Sequence, residues 1–252
     1  MTPILSKILA VIPARGGSKG VPRKNIQLIC GKPLIAYTIE TTLALKHLFH
    51  RVIVSTDDKE IADISKKWGA DVPFLRPAEF ANDSALMINV LKHAVAFIEE
   101  HDDLKLNWVC LLQPTDPLRS TEDIKEALRL SEKNDCDSVI SVIQVFNVHP
   151  ILMKRIENNQ LLPYSIEEKE GTRRQDYSPP AYMRNGAIYL TKRDVLMNKN
   201  SIWGNKICPY IMPPERSVGI DSELDMKLIE ILIAENQRKE TGHEQSTTRK
   251  HR

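Results

Sequence analysis

ILAVIPARGGSKGVPRKN (8–25) is the stretch that decides the fold of this chain. Ile8 to Pro13 is a short, continuous apolar run of the kind that fills a strand buried on both faces. Arg15, Gly16, Gly17, Ser18, Lys19, Gly20, Arg23 and Lys24 follow directly. Glycines there let backbone N–H groups close on an anion, and four cations surround the same loop. Open α/β sheets place ligands at the carboxyl ends of their strands, so a phosphate site is expected on the loop that leaves this first strand. The loop has neither the GK[ST] of a Walker A sequence nor the GxGxxG of a dinucleotide fingerprint.

Outward from that stretch, strands and helices alternate. Lys32-Pro33 opens an amphipathic helix with Leu34, Tyr37, Thr38, Thr41 and Leu45 on one stripe. Arg51 to Ser55 reads as a second strand, followed by a helix over 59–68 capped by Thr56-Asp57-Asp58 and stopped by Gly69. Asp83-Ser84 is expected to start a long helix ending near Glu100. Trp108 to Leu112 is a third strand, and Ser120-Thr121 caps a helix over 122–133. A further strand is expected over 138–145, so the rhythm is that of a parallel sheet with right-handed crossovers. Adjacent parallel strands deliver their loops to one rim, which would set Gln113 and Thr115 beside the phosphate loop, able to hydrogen-bond a polyol.

The rhythm breaks near His149. Residues 152–164 read as a β-hairpin around Asn158-Asn159, and 167–180 as an exposed, charged arm. Regular structure resumes as a strand over 186–191, a short helix at Asp194, a strand over 207–212 and a last helix over 223–238. Residues 239–252 are polar and basic and are expected to form a disordered tail.

Composition limits the function classes. The chain of 252 residues carries 35 Lys and Arg against 33 Asp and Glu, a balance that argues against a dedicated nucleic-acid surface. No apolar run approaches the roughly 20 residues that span a bilayer, and the first residues lack a signal-peptide layout. Cys30, Cys110, Cys136 and Cys208 show no CxxC pairing, which suits reduced thiols in the cytoplasm. Asp221, in a loop before the last helix, reads either as a helix cap or as the carboxylate for the divalent cation that a triphosphate needs. Asp57 and Asp58 compete for that role but look like the cap of the helix they precede. Arg173-Arg174 reads as a solvated face or as a clamp for a carboxylate.

Taken together, the blocks IPARGGSKGVPRKN (12–25), GKPLIAYTIE (31–40), RVIVSTDD (51–58), FLRPAEFA (74–81), LLQPTDPLR (111–119), RRQD (173–176), NGAIY (185–189) and IDSELD (220–225) resemble the acylneuraminate cytidylyltransferases, the CMP-sialic acid synthetases. Legionaminic and pseudaminic acid synthetases share these blocks. The resemblance implies a Rossmann-like, three-layer α/β nucleotide-diphospho-sugar transferase fold with a mainly parallel sheet. One cytidylyltransferase domain over 1–238 would carry an inserted dimerisation arm over about 147–182. The implied reaction transfers CMP from CTP to the anomeric hydroxyl of a nine-carbon α-keto acid sugar, with Mg²⁺ as cofactor and a homodimer as the working unit.

Carried over by position, Arg15 and Lys24 match triphosphate ligands, within a nucleotide loop of Ala14, Gly16, Gly17 and Ser18. Asn25 and Arg76 match contacts to the cytidine, Gln113 and Thr115 match residues that hold the sugar, and Arg174 and Tyr189 match the sugar-side arm and pocket. Asp221 matches a Mg²⁺ ligand. Three departures stand out. Gly219 occupies a position where the family commonly has an acid, Leu86 and Met87 replace two common serines, and Asp116 replaces a usual serine. A non-catalytic nucleotide- or sugar-binding regulator and a CMP-Kdo-type synthetase are the alternatives.

Overall fold

β1 (Ile8–Pro13) is buried at every residue. The computed structural model of the chain describes residues 7–18 and 20–249, with side chains described as far as Arg238, so Lys19 of the glycine loop lies outside the described residues. Strand alternation splits β1 between two cores: Ile8, Ala10 and Ile12 point into one, Leu9 and Val11 into the other.

β2 (Leu28–Ile29) and β3 (Lys32–Pro33) make a small ladder ahead of α1 (Leu34–Leu43). Then come β4 (Arg51–Ser55), α2 (Lys59–Lys67), α3 (Met87–His101), β5 (Trp108–Leu111), α4 (Thr121–Lys133) and β6 (Ser138–Val145). A hairpin of β7 (Lys154–Glu157) and β8 (Gln160–Pro163) precedes β9 (Ala181–Lys192), α5 (Arg193–Met197), β10 (Ile207–Ile211) and α6 (Glu223–Arg249). Six strands form one sheet in the order β10-β6-β9-β5-β1-β4. β9 runs antiparallel to β5 and β6, while the remaining pairs are parallel. Ile35 and Ile39 of α1, Ile61 of α2 and Ile124 and Leu128 of α4 cover one face. Leu91, Val95 and Ile98 of α3 and Leu196 of α5 cover the other. The three-layer, mainly parallel α/β architecture expected from the sequence is what the chain adopts. Parallel pairing of β1 with both β4 and β5 brings the loops after all three strands to one rim.

The expected helix boundaries shift where distant contacts decide them. α1 buries Leu34 and Thr38 of the predicted stripe together with Ile35, Ala36, Ile39 and Thr42, and ends before Leu45. It is wedged between the sheet core and a third apolar cluster in which Leu34 meets Ile220, Ile229 and Ile233, so no single stripe describes it. α3 starts at Met87 and not at Asp83-Ser84. Asn82 Oδ1 accepts from the Ser84 N–H at 3.0 Å and from Ser84 Oγ at 2.7 Å, a local turn that competes with helix initiation. β9 begins at Ala181, ahead of the predicted start at Gly186, because its more exposed first half pairs with β6 beyond an irregularity opposite Ser141. α6 continues past Arg238 to Arg249, through most of the segment read as a disordered tail. That segment has no proline, and extending a helix already nucleated fixes only one residue per added hydrogen bond; residues 250–252 lie outside the described residues. No helix among the described residues is long and apolar enough to cross a membrane.

One buried carboxylate pins the segment that leads to the candidate site. Asp123 is fully buried and closes a capping box with Ser120 at the start of α4. It also accepts from Tyr210 Oη at 2.6 Å and from Arg216 at 2.7 and 2.9 Å. Replacing Asp123 by alanine strands the Arg216 guanidinium and opens the cap. Urea denaturation of Asp123→Ala is expected to show a loss of about 3 kcal/mol. A loss below about 1 kcal/mol, the range of an exposed ion pair, would deny the network this role.

Candidate active site

The loop after β1 is held by backbone and buried polar contacts before any side chain faces a ligand. The buried Ala14 donates its N–H to Ser55 O at 2.9 Å, carrying the β1–β4 ladder one residue further. The Gly16 N–H donates to Asp57 Oδ1 at 3.1 Å. Asp58 caps α2 through the Ile61 N–H at 2.9 Å and pairs with Arg23, in line with its reading as a cap, whereas Asp57 ties down the glycine loop and not the helix. Asn25, buried, donates to the carbonyl of Arg15 at 3.2 Å.

Three loops then meet. Lys24 Nζ donates to Ile220 O at 2.6 Å and lies 3.6 Å from Asp221 Oδ1. The Ile220 N–H donates to Thr115 O at 3.0 Å. Gly20 lies against the carbonyl oxygen of Asp221, where any Cβ would collide with it. A cavity of about 460 Å³ opens there, lined in part by Arg15, Ser18, Lys24, Asn25, Arg76, Gln113, Thr115 and Asp221. A second, of about 320 Å³, is lined by Gln113, Thr115, Asp116, Arg184, Gly186, Tyr189, Gly219 and Asp221 among others. Gln113, Thr115 and Asp221 line both. The nucleotide-side residues expected from the sequence thus gather in the first space, and Tyr189 with the Gln113 loop in the second. Ala14, Gly16 and Gly17 shape the loop without lining either cavity. Arg174 is not brought to the site within one chain: it is exposed on the arm, its guanidinium 4.8 Å from the centre of the Phe146 ring.

The charges divide by task. Arg15 pairs with Asp83 at 3.0 Å on the wall of the first cavity. Arg76 is buried, bonded through its guanidinium to Ser55 and through Nη1 to Phe80 O at 3.4 Å, and burial lowers its pKa to about 10, which leaves it cationic at neutral pH. Among the described residues no group of three or more His, Cys, Asp or Glu side chains is placed to hold a metal ion. A single carboxylate on a cavity wall still suits Mg²⁺, which keeps waters and shares phosphate oxygens. Asp221 meets that requirement, since its side chain is 98% exposed where the two cavities adjoin.

Sequence reasoning missed two residues of this site, Arg119 and Arg184, and the burial of a third, Asp116. Arg119 is buried and donates to Ala187 O at 2.6 Å and Thr38 Oγ1 at 2.8 Å, locking the Gln113 loop to β9 and α1. Arg184 lines the second cavity and stacks over Trp203, 4.3 Å from the ring centre. Asp116 is 2% exposed, accepts from Thr115 Oγ1 at 3.1 Å, and has no partner for Oδ1. Its unusual identity was legible; its burial was not. Burial pushes its pKa up to about 7, against the pull of Arg119 and the Thr115 hydroxyl.

A phosphate-type loop and a polar acceptor cavity that share one wall are the layout of a nucleotidyltransferase, and that is the class of enzyme this fold and site define. The family follows from likeness to known proteins. A family model described as Cytidylyltransferase matches residues 9–202, and the chain belongs to that family. It is 35% identical over 234 residues to CMP-N,N'-diacetyllegionaminic acid synthase of Legionella pneumophila, covering 92% of this chain and 98% of that protein. It is 34% identical over 226 residues to N-acylneuraminate cytidylyltransferase of Escherichia coli, covering 88% of this chain and 51% of that longer protein. Among solved structures, CMP:2-keto-3-deoxy-manno-octonic acid synthetase complexed with CTP shares the fold, with a TM-score of 0.67 at 19% identity over 92% of this chain and 100% of that one.

The raised pKa of Asp116 has a sign that can be checked. A folded-state pKa above the ordinary carboxylate value means that this group's contribution is full at low pH and lost as pH rises through about 7. Without divalent cations, the wild type is therefore expected to lose stability relative to Asp116→Asn between pH 5 and pH 8. Thermal unfolding of both proteins across that range reads the difference; a constant gap would contradict the assignment.

Proposed function

We propose that this chain transfers CMP from CTP to the anomeric hydroxyl of a nine-carbon α-keto acid sugar, N-acetylneuraminic, legionaminic or a related acid, with release of pyrophosphate. The observation that carries the reading is the wall common to both cavities, formed by Gln113, Thr115 and Asp221. A nucleotide in the first space and a sugar in the second would meet across it.

Phosphoryl-type transfer asks a protein mainly for alignment and for positive charge where negative charge develops. Arg15 and Lys24 are the cations offered to the triphosphate. Arg15 holds Asp83 at present, and a triphosphate carries more charge than that one carboxylate, so ligand binding exchanges one partner for the other. In the second cavity Gln113, Thr115 and Tyr189 orient the sugar, and Arg184 fits its carboxylate. The sugar hydroxyl oxygen attacks the α-phosphorus, the bond to the bridging oxygen of pyrophosphate breaks, and the hydroxyl proton leaves to solvent. Asp221 would hold Mg²⁺, which when bound neutralises phosphate charge and polarises the reacting phosphoryl group.

In this reading the enzyme works in the cytoplasm as a homodimer. The arm that carries Arg174 then reaches a neighbouring protomer's sugar pocket. Ile156, Leu161 and Tyr164, exposed on and beside the hairpin, favour that role for the arm. The eight-carbon alternative has only a likeness of fold behind it.

A pyrophosphate-release assay with CTP, Mg²⁺ and a panel of nine-carbon acidic sugars tests the proposal. Release with at least one sugar is expected, and none with any of them overturns it. Arg15→Ala is expected to lower kcat by about 10²- to 10³-fold with the thermal midpoint held. Unchanged turnover would remove Arg15 from its role.

A further inference from the structure

Asp116 is a buried carboxylate with an oxygen that nothing in the protein satisfies. It lies in the loop after β5, is 2% exposed, and lines the second cavity with Gly219 and Asp221. Oδ2 accepts from Thr115 Oγ1 at 3.1 Å, but Oδ1 is without a hydrogen-bond partner. Its charged neighbour Arg119 directs its Nη donors to Ala187 O, Thr38 Oγ1 and Gln113 O, its Nε is likewise without a partner, and no donor of Arg119 reaches Oδ1. Leaving such an oxygen unpaired costs about 1–3 kcal/mol, more when it is charged, so its retention on a cavity wall calls for a ligand that completes it.

Gly186 makes room for this group, and Gly219 borders it. A Cβ on Gly186 would lie 3.0 Å from Asp116 Oδ2, and one on Gly219 would lie 3.5 Å from Asp116 Oδ1. Asp116 Oδ1 thus lies in contact distance of the point where a side chain on residue 219 would begin, two positions from Asp221. The hydrogen bond from the Ile220 N–H to Thr115 O keeps the two loops in register, so both carboxylates face the same space. Lys24 engages Ile220 O and stands beside Asp221, and no donor is supplied to the Asp116 oxygen.

We propose that Asp116 is the second protein ligand, with Asp221, of the divalent cation at this site, its carboxylate taking the place of a side chain that Gly219 lacks. Two carboxylates, waters and phosphate oxygens form an all-oxygen set suited to Mg²⁺ or Mn²⁺. This inference rests on the reading of Asp221 as a metal ligand and adds to it.

Mn²⁺ is the probe. It is titrated into the full chain with a CTP analogue carrying a methylene bridge between the α and β phosphates, and free Mn²⁺ is read by electron paramagnetic resonance. Outer-shell partners alone are worth about 10- to 100-fold in metal affinity, so Asp116→Asn and Asp221→Asn are each expected to weaken Mn²⁺ binding by about tenfold or more. Moving the carboxylate tests a ligand role against a merely structural one. Gly219 has no left-handed φ, so it accepts a side chain, and Asp116→Ser clears the space. The double variant Asp116→Ser, Gly219→Asp is expected to return to within about threefold of wild type, a difference below one RT-scale decade. Wild-type affinity in Asp116→Asn overturns the inference but leaves Asp221 in place. So does failure of the relocated carboxylate in a double variant that unfolds at the wild-type temperature. Wild-type affinity in Asp221→Asn overturns both this inference and the metal assignment it rests on.

Discussion

Lys24 reaches the carbonyl of Ile220, 196 positions away in sequence, with a 2.6 Å hydrogen bond, and the two cavities depend on that closure. β1 brings the glycine loop to the rim of the sheet, whereas the Asp221 loop arrives with α6 at the far end of the chain. Gly20 lets the Asp221 carbonyl approach where any side chain would block it. Ile220 is fully buried in a cluster with Ile29, Leu34 and Ile229, and burial of one such side chain is worth about 1.5–3 kcal/mol. Apolar packing therefore anchors the late loop, and the Lys24 bond sets its register. Separated from one another, the cations of the first loop and the carboxylate of the last would be unrelated surface charges.

The site also separates charges that build from charges that face a ligand. Arg76, Arg119 and Asp123 are buried and committed to carbonyls, hydroxyls or each other's neighbours. They hold the Phe80 turn, the Gln113 loop and the segment before Gly219. Arg15, Lys24 and Asp221 keep their charged ends at the cavity surface, where a phosphate or a cation can reach them. Asp116 belongs to neither group: it is buried like a structural residue yet incompletely bonded. A ligand from outside the chain would reconcile the two facts.

Elements decided by neighbouring residues were legible in the sequence. β1 announced itself as a continuous apolar run, Asp58 and Ser120 as caps, and Asn158-Asn159 as a tight turn in which both residues take positive φ. The first-loop residues of the site were legible for the same reason, since strand, turn and cations are contiguous. What depended on distant partners was not. Asn82 and Ser84 closed a turn that delayed α3, and pairing with β6 lengthened β9 into an exposed stretch with no alternation of its own. The burial of Arg119 and Asp116 was not legible, because the groups that bury them come from β9, α1 and the 217–221 segment. Arg174 stayed off the site in one chain because it rides on an arm whose contacts with the body lie elsewhere.

The central claim is that the opening loop grips a triphosphate beside a cation held from the late loop. A crystal structure of the full chain with CTP and Mg²⁺ addresses it most directly. The account expects the phosphates against Arg15 and Lys24, with the metal bridging them to the carboxylate of Asp221. Phosphates lying outside the first cavity, away from these three residues, would contradict it.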